Sequence, residues 1–135
     1  MTLVACIDEG GGMLFNHRRQ SQDRVMRQRI AQMSRGARLL MSPYTARQFG
    51  LDLPSNAVIC ENLLGEALPA DFCFVEDTDP AALESLADKI VLYRWNRAYP
   101  RDTLFPIDLE QWTQVHSERF QGSSHDDITE EVYIR

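Results

Sequence analysis

One carboxylate stands alone in the first part of this chain. Asp23 is the only acidic residue between Glu9 and Asp52, in a stretch that holds eight arginines. It opens the apolar-periodic run 23–33, where the positive end of a helix favours the charged form of a carboxylate. A Ser-x-Asp sequence before such a run is most often a helix cap, and both Ser21 and Asp23 qualify. In a closed cleft, Asp23 could instead supply or relay a proton.

Other candidates for chemistry are sparse. The three histidines are far apart, at His17, His116 and His125. This dispersion favours ordinary packing or solvent exposure over a metal site. The cysteines are odd in number and lack metal-ligand spacing: Cys6, Cys60 and Cys73. We therefore predict no metal site. No Ser-His-Asp spacing is visible, although a triad does not depend on sequence order.

The charge of the chain is unevenly distributed. The net charge is −6, but residues 1–50 carry +5 and residues 51–135 carry −11. A positive first third could attract an anionic ligand such as a phosphate or a polycarboxylate. A solvated helix face is an equally good interpretation of the same arginines. We predict no nucleic-acid partner, because the chain is acidic as a whole and its basic stretch lacks interleaved aromatic residues.

The length of 135 residues predicts a single domain, 1–135, with one real core. The longest apolar run is far too short to span a bilayer, so no membrane partner is predicted. The N-terminus has no basic segment and its apolar stretch ends in an acid, which is not the pattern of a signal peptide. The cysteines are expected to be reduced core residues of a cytoplasmic protein. The oligomeric state is left open.

Apolar runs alternate with helical patterns along most of the chain. Strands are predicted at 3–7, 38–41, 57–60, 72–75 and 90–95, and helices at 23–33, 44–49 and 80–87. A strand pair follows at 112–116 and 130–134, with a turn at 122–124. Strands that are apolar throughout and alternate with helices indicate a mostly parallel, two-sided sheet. The sequence therefore predicts an α/β fold with an antiparallel hairpin at one edge.

Short segments spread over most of the chain resemble motifs of the dihydrofolate reductases, in the family's order. Residues 3–9 resemble the first strand, and 10–14 stand where the family has a mobile, glycine-containing loop. Asp23 stands where the family's single acidic residue opens its first long helix. The remaining similarities are 40–45 to Met-Gly-Arg-x-Thr, 53–54 to Leu-Pro-Gly-Arg, 86–93 to Ala-Asp-x-Leu-Tyr-Leu, 102–106 to Asp-Thr-x-Phe-Pro, and 120–135 to the closing hairpin.

This resemblance implies a three-layer αβα fold of the dihydrofolate reductase type. It also implies NADPH-dependent reduction of dihydrofolate or a related pterin, with Asp23 as the substrate-binding and proton-relay acid. The substrate-binding positions carried over are Ala5, Cys6, Asp23 and Met26. The cofactor-binding positions are Gly12, Met41, Thr45 and Arg47. Asp102 and Thr103 would support the glycine loop without touching a ligand.

The chain departs from the family at the cofactor anchors. Glu76 and Asp77 replace the Gly-Gly pair that lets the backbone approach the pyrophosphate. Pro43 stands in place of an arginine near the 2′-phosphate, and Asn56 in place of the arginine that grips the substrate's glutamate. Two carboxylates beside a pyrophosphate repel it, and their side chains fill the space that glycine leaves open.

Two functional hypotheses follow from these residues. The first is a reductase in which Arg18, Arg19 or Arg47 replaces the lost phosphate contacts. The second is a catalytically inactive, reductase-like binding or interaction protein that has lost the nicotinamide dinucleotide site. Its partner would be a small molecule in the old cleft, pterin-like or of another kind, or a protein.

Overall fold

The computed structural model describes residues 1–135. Its strands are β1 Thr2–Ile7, β2 Gly12–Phe15, β3 Arg18–Arg19, β4 Leu39–Met41, β5 Ala57–Ile59, β6 Phe72–Phe74, β7 Lys89–Arg94, β8 Thr103–Leu104, β9 Thr113–Phe120 and β10 Ile128–Ile134. Its α-helices are α1 Arg24–Met33, α2 Pro43–Phe49 and α3 Leu63–Glu66, and 3-10 helices cover Gly50–Asp52, Pro80–Leu86 and Leu109–Gln111. None of the helices combines the length and the apolar character that crossing a membrane requires.

Seven strands form the main sheet, in the order β5-β4-β6-β1-β7-β10-β9. The first five of these run parallel to one another, β10 is antiparallel to β7, and β9 is antiparallel to β10. The predicted mostly parallel sheet with a C-terminal antiparallel hairpin is therefore confirmed. Because β9 ends and β10 begins at the edge where the parallel strands end, the turn between them lies at that edge.

Each face of the sheet carries its own buried core, which gives three layers. On one face, Met26 and Ile30 of α1 pack with Phe49 of α2. On the other face, Leu63 of α3 packs with Leu83 of the second 3-10 helix. Fully burying one side chain of this size contributes about 1.5–3 kcal/mol. The α1 face is regular because its apolar residues recur at helical spacing, as the sequence predicts.

The second outer layer is thinner than the sequence predicts. The expected helix over 80–87 is a 3-10 helix, capped by Asp79 with Pro80 at its first turn. Its buried residues, Pro80 and Leu83, are three apart, which is the 3-10 period. The four-residue helix α3 and the two-residue strand β8 were not foreseen, because elements this short carry too few residues for a periodic signal.

The segment after the glycines also differs from the prediction. Instead of a loop over 10–14, the chain forms β2, which pairs with β3 and β8 in a second, three-stranded sheet. The β2–β3 hairpin has a two-residue turn at Asn16 and His17, both with positive φ angles (51° and 61°). Two such residues are the mark of a type I′ turn, whose twist matches that of the flanking strands. The hairpin projects Arg18 and Arg19 beside the main sheet.

Candidate functional site

The candidate site lies where the parallel strands end. Asp8 follows β1, Ser42 follows β4, Glu76 lies two residues beyond β6, and Trp95 follows β7. The helices α1 and α2 begin at this edge, and the β9–β10 turn reaches it from the other side. In open α/β sheets, ligands bind in the crevice outside the carboxyl ends of the strands, so this edge is where function is expected.

Asp23 is the N-cap of α1, as the sequence predicts, and it is fully buried. Its Oδ1 accepts hydrogen bonds from the backbone N–H groups of Met26 and Ser123, both at 3.1 Å. Its Oδ2 accepts from the backbone N–H of Ser124 at 2.8 Å, from the Ser124 hydroxyl at 3.1 Å and from His125 Nδ1 at 3.1 Å. Five donors from the protein therefore converge on this one carboxylate.

The surroundings of Asp23 keep it ionised. Burial alone would raise the pKa of Asp23, but the backbone hydrogen bonds from Ser124, Met26 and Ser123 outweigh burial and hold this pKa well below its usual range. A Cβ atom on Gly122 would lie 2.3 Å from Asp23 Oδ2, so the turn can approach the carboxylate only with glycine at this position. Residues of the β9–β10 turn therefore contact the ionised Asp23 carboxylate directly.

His125 connects Asp23 to a serine hydroxyl. Its Nδ1 faces Asp23, and its Nε2 lies 2.8 Å from Ser21 Oγ and 3.2 Å from the Tyr99 hydroxyl. The ring stacks on Trp95 with 4.6 Å between centroids. No local sequence signal marks this arrangement, because His125 lies 104 residues from Ser21 and 102 from Asp23. The resemblance places His125 only in the closing hairpin.

Glu76, at the position of the lost glycine pair, is engaged by the protein itself. Arg19 donates to both of its carboxylate oxygens, at 2.8 and 3.0 Å, and Gln48 Nε2 donates to Oε2 at 3.1 Å. The Arg19 guanidinium also lies 4.2 Å from the centre of the Tyr44 ring. Burial lowers the pKa of Arg19, but its hydrogen bonds to Glu76 outweigh burial and raise this pKa overall. Arg19 therefore contacts a carboxylate of its own chain.

These contacts change the expected effect of the two acids. Glu76 is neutralised by the bidentate Arg19 pair, so it obstructs this edge mainly by filling space. Asp77 remains exposed and accepts a hydrogen bond from the Ser42 hydroxyl at 2.7 Å. The repulsion predicted from both carboxylates thus reduces to that of Asp77.

Two very different spaces border Glu76. An open groove of about 470 Å³ lies between the β2–β3 hairpin and residues 76–80, but little free volume remains between Cys6 and Trp95. The cavity there measures about 10 Å³. Its walls are Cys6, Met13, Arg19, Gln20, Ser21, Val75, Glu76 and Trp95. A volume of about 10–15 Å³ is what one water molecule requires, whereas ligand pockets measure about 300–1,000 Å³.

The predicted substrate positions cluster here, but most of them are core residues. Ala5 is fully buried, and Met26 is 1% exposed. Cys6 Sγ lies 3.8 Å from the Met26 sulfur and lines the small cavity. Burial and the nearby Glu76 raise the pKa of the Cys6 thiol well above its usual range. Of these four residues, only Cys6 presents side-chain surface to the cavity.

The predicted cofactor positions are more scattered. Met41 and Thr45 are fully buried, with Thr45 hydrogen-bonded to the capping Ser42 of α2. Gly12 donates its N–H to Asp8 at 2.7 Å, and a Cβ atom there would lie 2.6 Å from Gln20 Nε2. Arg47 is exposed, with its guanidinium 5.9 Å from the centre of the Tyr44 ring.

Asp8 is a further buried carboxylate at this edge, and it organises the loops. It accepts from the backbone of Gly10, Gly12 and Tyr99, and from the side chain of Gln20. Burial would raise the pKa of Asp8, but these backbone hydrogen bonds lower it overall. Asp102 accepts a hydrogen bond from the backbone N–H of Asn16 at 3.0 Å, so it contacts the β2–β3 turn.

A separate cluster on the β9–β10 hairpin holds potential metal ligands. His116, Glu118 and Glu130 bring one ligand atom each within 4.8 Å of one another. Arg29 donates to both carboxylates, and Tyr93 donates to Glu130 at 2.8 Å. Because the guanidinium already supplies the positive charge between the carboxylates, this cluster is best described as an ion-pair network.

An open groove adjoins the small cavity. It measures about 460 Å³ and lies between the β2–β3 hairpin and the Tyr99–Pro100 segment. Its lining residues are Phe15, Asn16, Arg18, Arg19, Gln20, Tyr99 and Pro100. Arg18 is exposed, and no carboxylate lies within ion-pair distance of it. The Oε1 of Gln20 is buried without a hydrogen-bond donor. The groove therefore offers a cation and aromatic surface.

Comparison with known proteins agrees with this architecture. No protein-family model matches the sequence, and no curated protein sequence matches it. Among solved structures, the dihydrofolate reductase from Enterococcus faecalis complexed with NADP(H) and RAB-propyl is similar over 99% of this chain and 95% of that chain, with a TM-score of 0.70 and 12% identity. The chain therefore has a dihydrofolate-reductase-like fold, as its short motifs predicted.

Proposed function

We propose that this chain is a binding protein of dihydrofolate-reductase-like fold in which an internal ion pair closes the nicotinamide dinucleotide site. The observation that carries the proposal is the Glu76 side chain, held by Arg19 and Gln48 where the resemblance places a bare glycine pair. The cavity beside it has a volume of about 10 Å³. A nicotinamide ring needs many times that volume, so it would have to break the ion pair to enter.

The small molecule would bind in the groove beside the hairpin. Its volume of about 460 Å³ lies within the range of small-ligand pockets. Arg18 favours an anionic group, and Tyr99 and Phe15 favour a flat or apolar one. The ligand class is therefore a small, flat anion.

The cysteines and the net charge of the chain bear on its compartment and on one class of partner. All three cysteines are free thiols, which fits a reducing compartment such as the cytoplasm. The net charge of −6 opposes a nucleic-acid partner.

Titration with NADPH tests the closed site. The parent protein should show no change in tryptophan fluorescence or melting temperature at millimolar NADPH, because the ion pair fills the site. The variant Glu76→Gly/Asp77→Gly should bind NADPH saturably, because it removes both the side chain that fills the site and the remaining repulsive charge of Asp77. Asp126→Gly removes an exposed carboxylate elsewhere and should leave the titration unchanged. Saturable binding by the parent would refute the proposal.

The reductase remains a second candidate, favoured by the NADP(H) complex of the structural neighbour. In it, Asp23 would bind and protonate a pterin such as dihydrofolate, with Ala5, Cys6 and Met26 around the substrate. Gly12, Met41, Thr45 and Arg47 would contact NADPH. This candidate predicts NADPH oxidation that depends on dihydrofolate and is lost in Asp23→Asn. Its difficulty is that five internal donors already occupy the Asp23 oxygens.

A further inference from the structure

Three side chains at the candidate site are linked in the order of a nucleophile, a base and an orienting acid. Ser21 Oγ lies 2.8 Å from His125 Nε2. On the other side of the ring, His125 Nδ1 lies 3.1 Å from Asp23 Oδ2. Both distances are those of real hydrogen bonds. The residues come from two separate segments, the turn before α1 and the β9–β10 turn.

The partners of the imidazole fix which nitrogen carries the proton. Nδ1 faces the ionised Asp23 and the Ser124 hydroxyl at 3.1 Å, so Nδ1 donates to the carboxylate. Nε2 faces only the hydroxyls of Ser21 and Tyr99, which can donate to it. This is the tautomer in which a histidine accepts a proton from a serine.

The ring is also held in place by packing. His125 is 5% exposed and stacks on Trp95 with an angle of 24° between the rings. Asp23 is held by three backbone N–H groups, which fix the carboxylate against the ring. A base held on two sides keeps its alignment without a cost in side-chain entropy at the moment of reaction. Asp23 is therefore a positioning residue for His125.

Ser21 is half-buried, so part of the residue is open to solvent. It also lines the small cavity, whose walls include Arg19 and Gln20 of the groove lining. Tyr99 lines the groove and touches His125 Nε2.

We propose that Ser21 is an activated nucleophile for acyl transfer from a small ester, with His125 as its general base. Ser21 Oγ forms a bond to the acyl carbon while its proton passes to His125 Nε2. The bond between the acyl carbon and the leaving oxygen breaks, and the alcohol departs with the proton from Nε2. Water then attacks the acyl carbon, gives a proton to Nε2, and releases the acid as Ser21 Oγ takes the proton back. No oxidant or reductant is needed.

The groove limits the substrate class. It accommodates a small ester, and the exposed Arg18 favours one with an anionic group away from the reacting carbon. The inference that the ester carries an anionic group depends on the groove assigned under the proposed function. The reactivity of Ser21 does not depend on that groove, because it requires only His125 and Asp23.

Labelling with a small alkyl fluorophosphonate tests the nucleophile apart from any ligand of the groove. Ser21 Oγ would bond to phosphorus, fluoride would leave, and His125 would take the proton. Intact-protein and peptide mass spectrometry should find one adduct, at Ser21, on the folded parent. Ser21→Ala should abolish it, and Ser55→Ala, at an exposed serine in another turn, should label at the parent rate.

Two further measurements separate activation from mere exposure. His125→Gln should slow labelling by at least about 100-fold, the usual effect of losing a general base. The parent protein unfolded in concentrated guanidinium chloride should not be labelled. This control replaces the His125→Gln comparison if that variant does not fold. The proposal is overturned if the folded parent carries no adduct after prolonged exposure to millimolar probe, if Ser21→Ala still labels, or if the unfolded parent or a folded His125→Gln labels at the parent rate. Saturable NADPH binding would refute the proposed function, but it would leave the conclusion from Ser21 labelling unchanged.

Discussion

Asp23 and Glu76 are both buried carboxylates at the same edge of the sheet, but the protein neutralises them in different ways. Asp23 is surrounded by backbone N–H groups and His125, which belong to the cap of α1 and the β9–β10 turn. Glu76 depends on the side chains of Arg19, from the small hairpin, and Gln48.

The contacts of Asp23 are a permanent part of the fold, whereas the contacts of Glu76 block a site and can be removed. The donors around Asp23 belong to the first turn of α1 and to the turn that closes the β9–β10 hairpin, so they cannot leave without local unfolding. Arg19 lies on a two-residue strand outside the main sheet, so its removal would uncover Glu76 while leaving the core intact. The Asp23 end is thus suited to precise positioning, and the Glu76 end to exclusion of a ligand.

The largest effect is expected from Asp23→Ala. This change leaves three backbone N–H groups and the buried His125 without their acceptor, and should lower the free energy of unfolding by about 3–5 kcal/mol. Chemical denaturation measures this directly. Asp126→Ala, an exposed residue of the same turn, should change the free energy by less than about 0.5 kcal/mol. Equal effects of the two substitutions would contradict the role given to Asp23.

A smaller loss is expected from Arg19→Ala. The substitution leaves Glu76 buried with Gln48 as its remaining partner, and should cost about 2 kcal/mol. Its neighbour Arg18 forms no ion pair, so Arg18→Ala serves as a matched control with an effect below about 0.5 kcal/mol. If both arginines matter equally, the Glu76 end does not depend on one specific pair.

Acid should lower the free energy of unfolding through protonation of Asp23. The pKa of Asp23 is lowered in the folded protein, so below the unfolded value of about 3.9 the unfolded chain binds the proton first and acid favours unfolding. The stabilisation is fully present above that pH, and roughly 1 kcal/mol of it should be lost between about pH 4 and pH 3. Denaturation curves of the parent and Asp23→Asn should diverge in this range. Parallel pH dependences would argue against an ionised Asp23.

The smallest effect concerns the hairpin that carries Arg19. His17 has a φ angle of 61°, a conformation that glycine adopts without strain. His17→Gly should therefore raise the melting temperature slightly, corresponding to about 0.5 kcal/mol. A matched Gly substitution at exposed Thr103, in the extended strand β8, should instead destabilise. A loss of stability in His17→Gly would mean that the turn is not the type I′ turn described.

Local patterns were enough to predict the main sheet and one end of the site. The apolar run 3–7, the helical spacing of Met26 and Ile30, and the cap at Asp23 are all signals carried by neighbouring residues, and the structure confirms them. The turn at 122–124 was visible because Gly-Ser-Ser is typical of turns. The β2–β3 hairpin was missed because its turn, Asn16-His17, lacks the glycine that usually marks such a turn.

The contacts that define the site could not be predicted in this way. Arg19 and Glu76 are 57 residues apart, and Asp23 and His125 are 102 apart. Each pair is brought together by the crossover connections and the closing hairpin, so nothing in the local sequence marks it. The replacement of glycine by Glu76 was visible, but the arginine that neutralises it was not. The sequence therefore predicted the repulsion that an unpaired carboxylate would cause.

The most direct test of the closed site is a crystal structure determined after soaking with millimolar NADPH. The account predicts the Arg19 guanidinium bidentate on Glu76, the Asp23 carboxylate within hydrogen-bond distance of His125, and no nucleotide between Cys6 and Trp95. A nicotinamide ring in that space, with the diphosphate against residues 76–77, would contradict it.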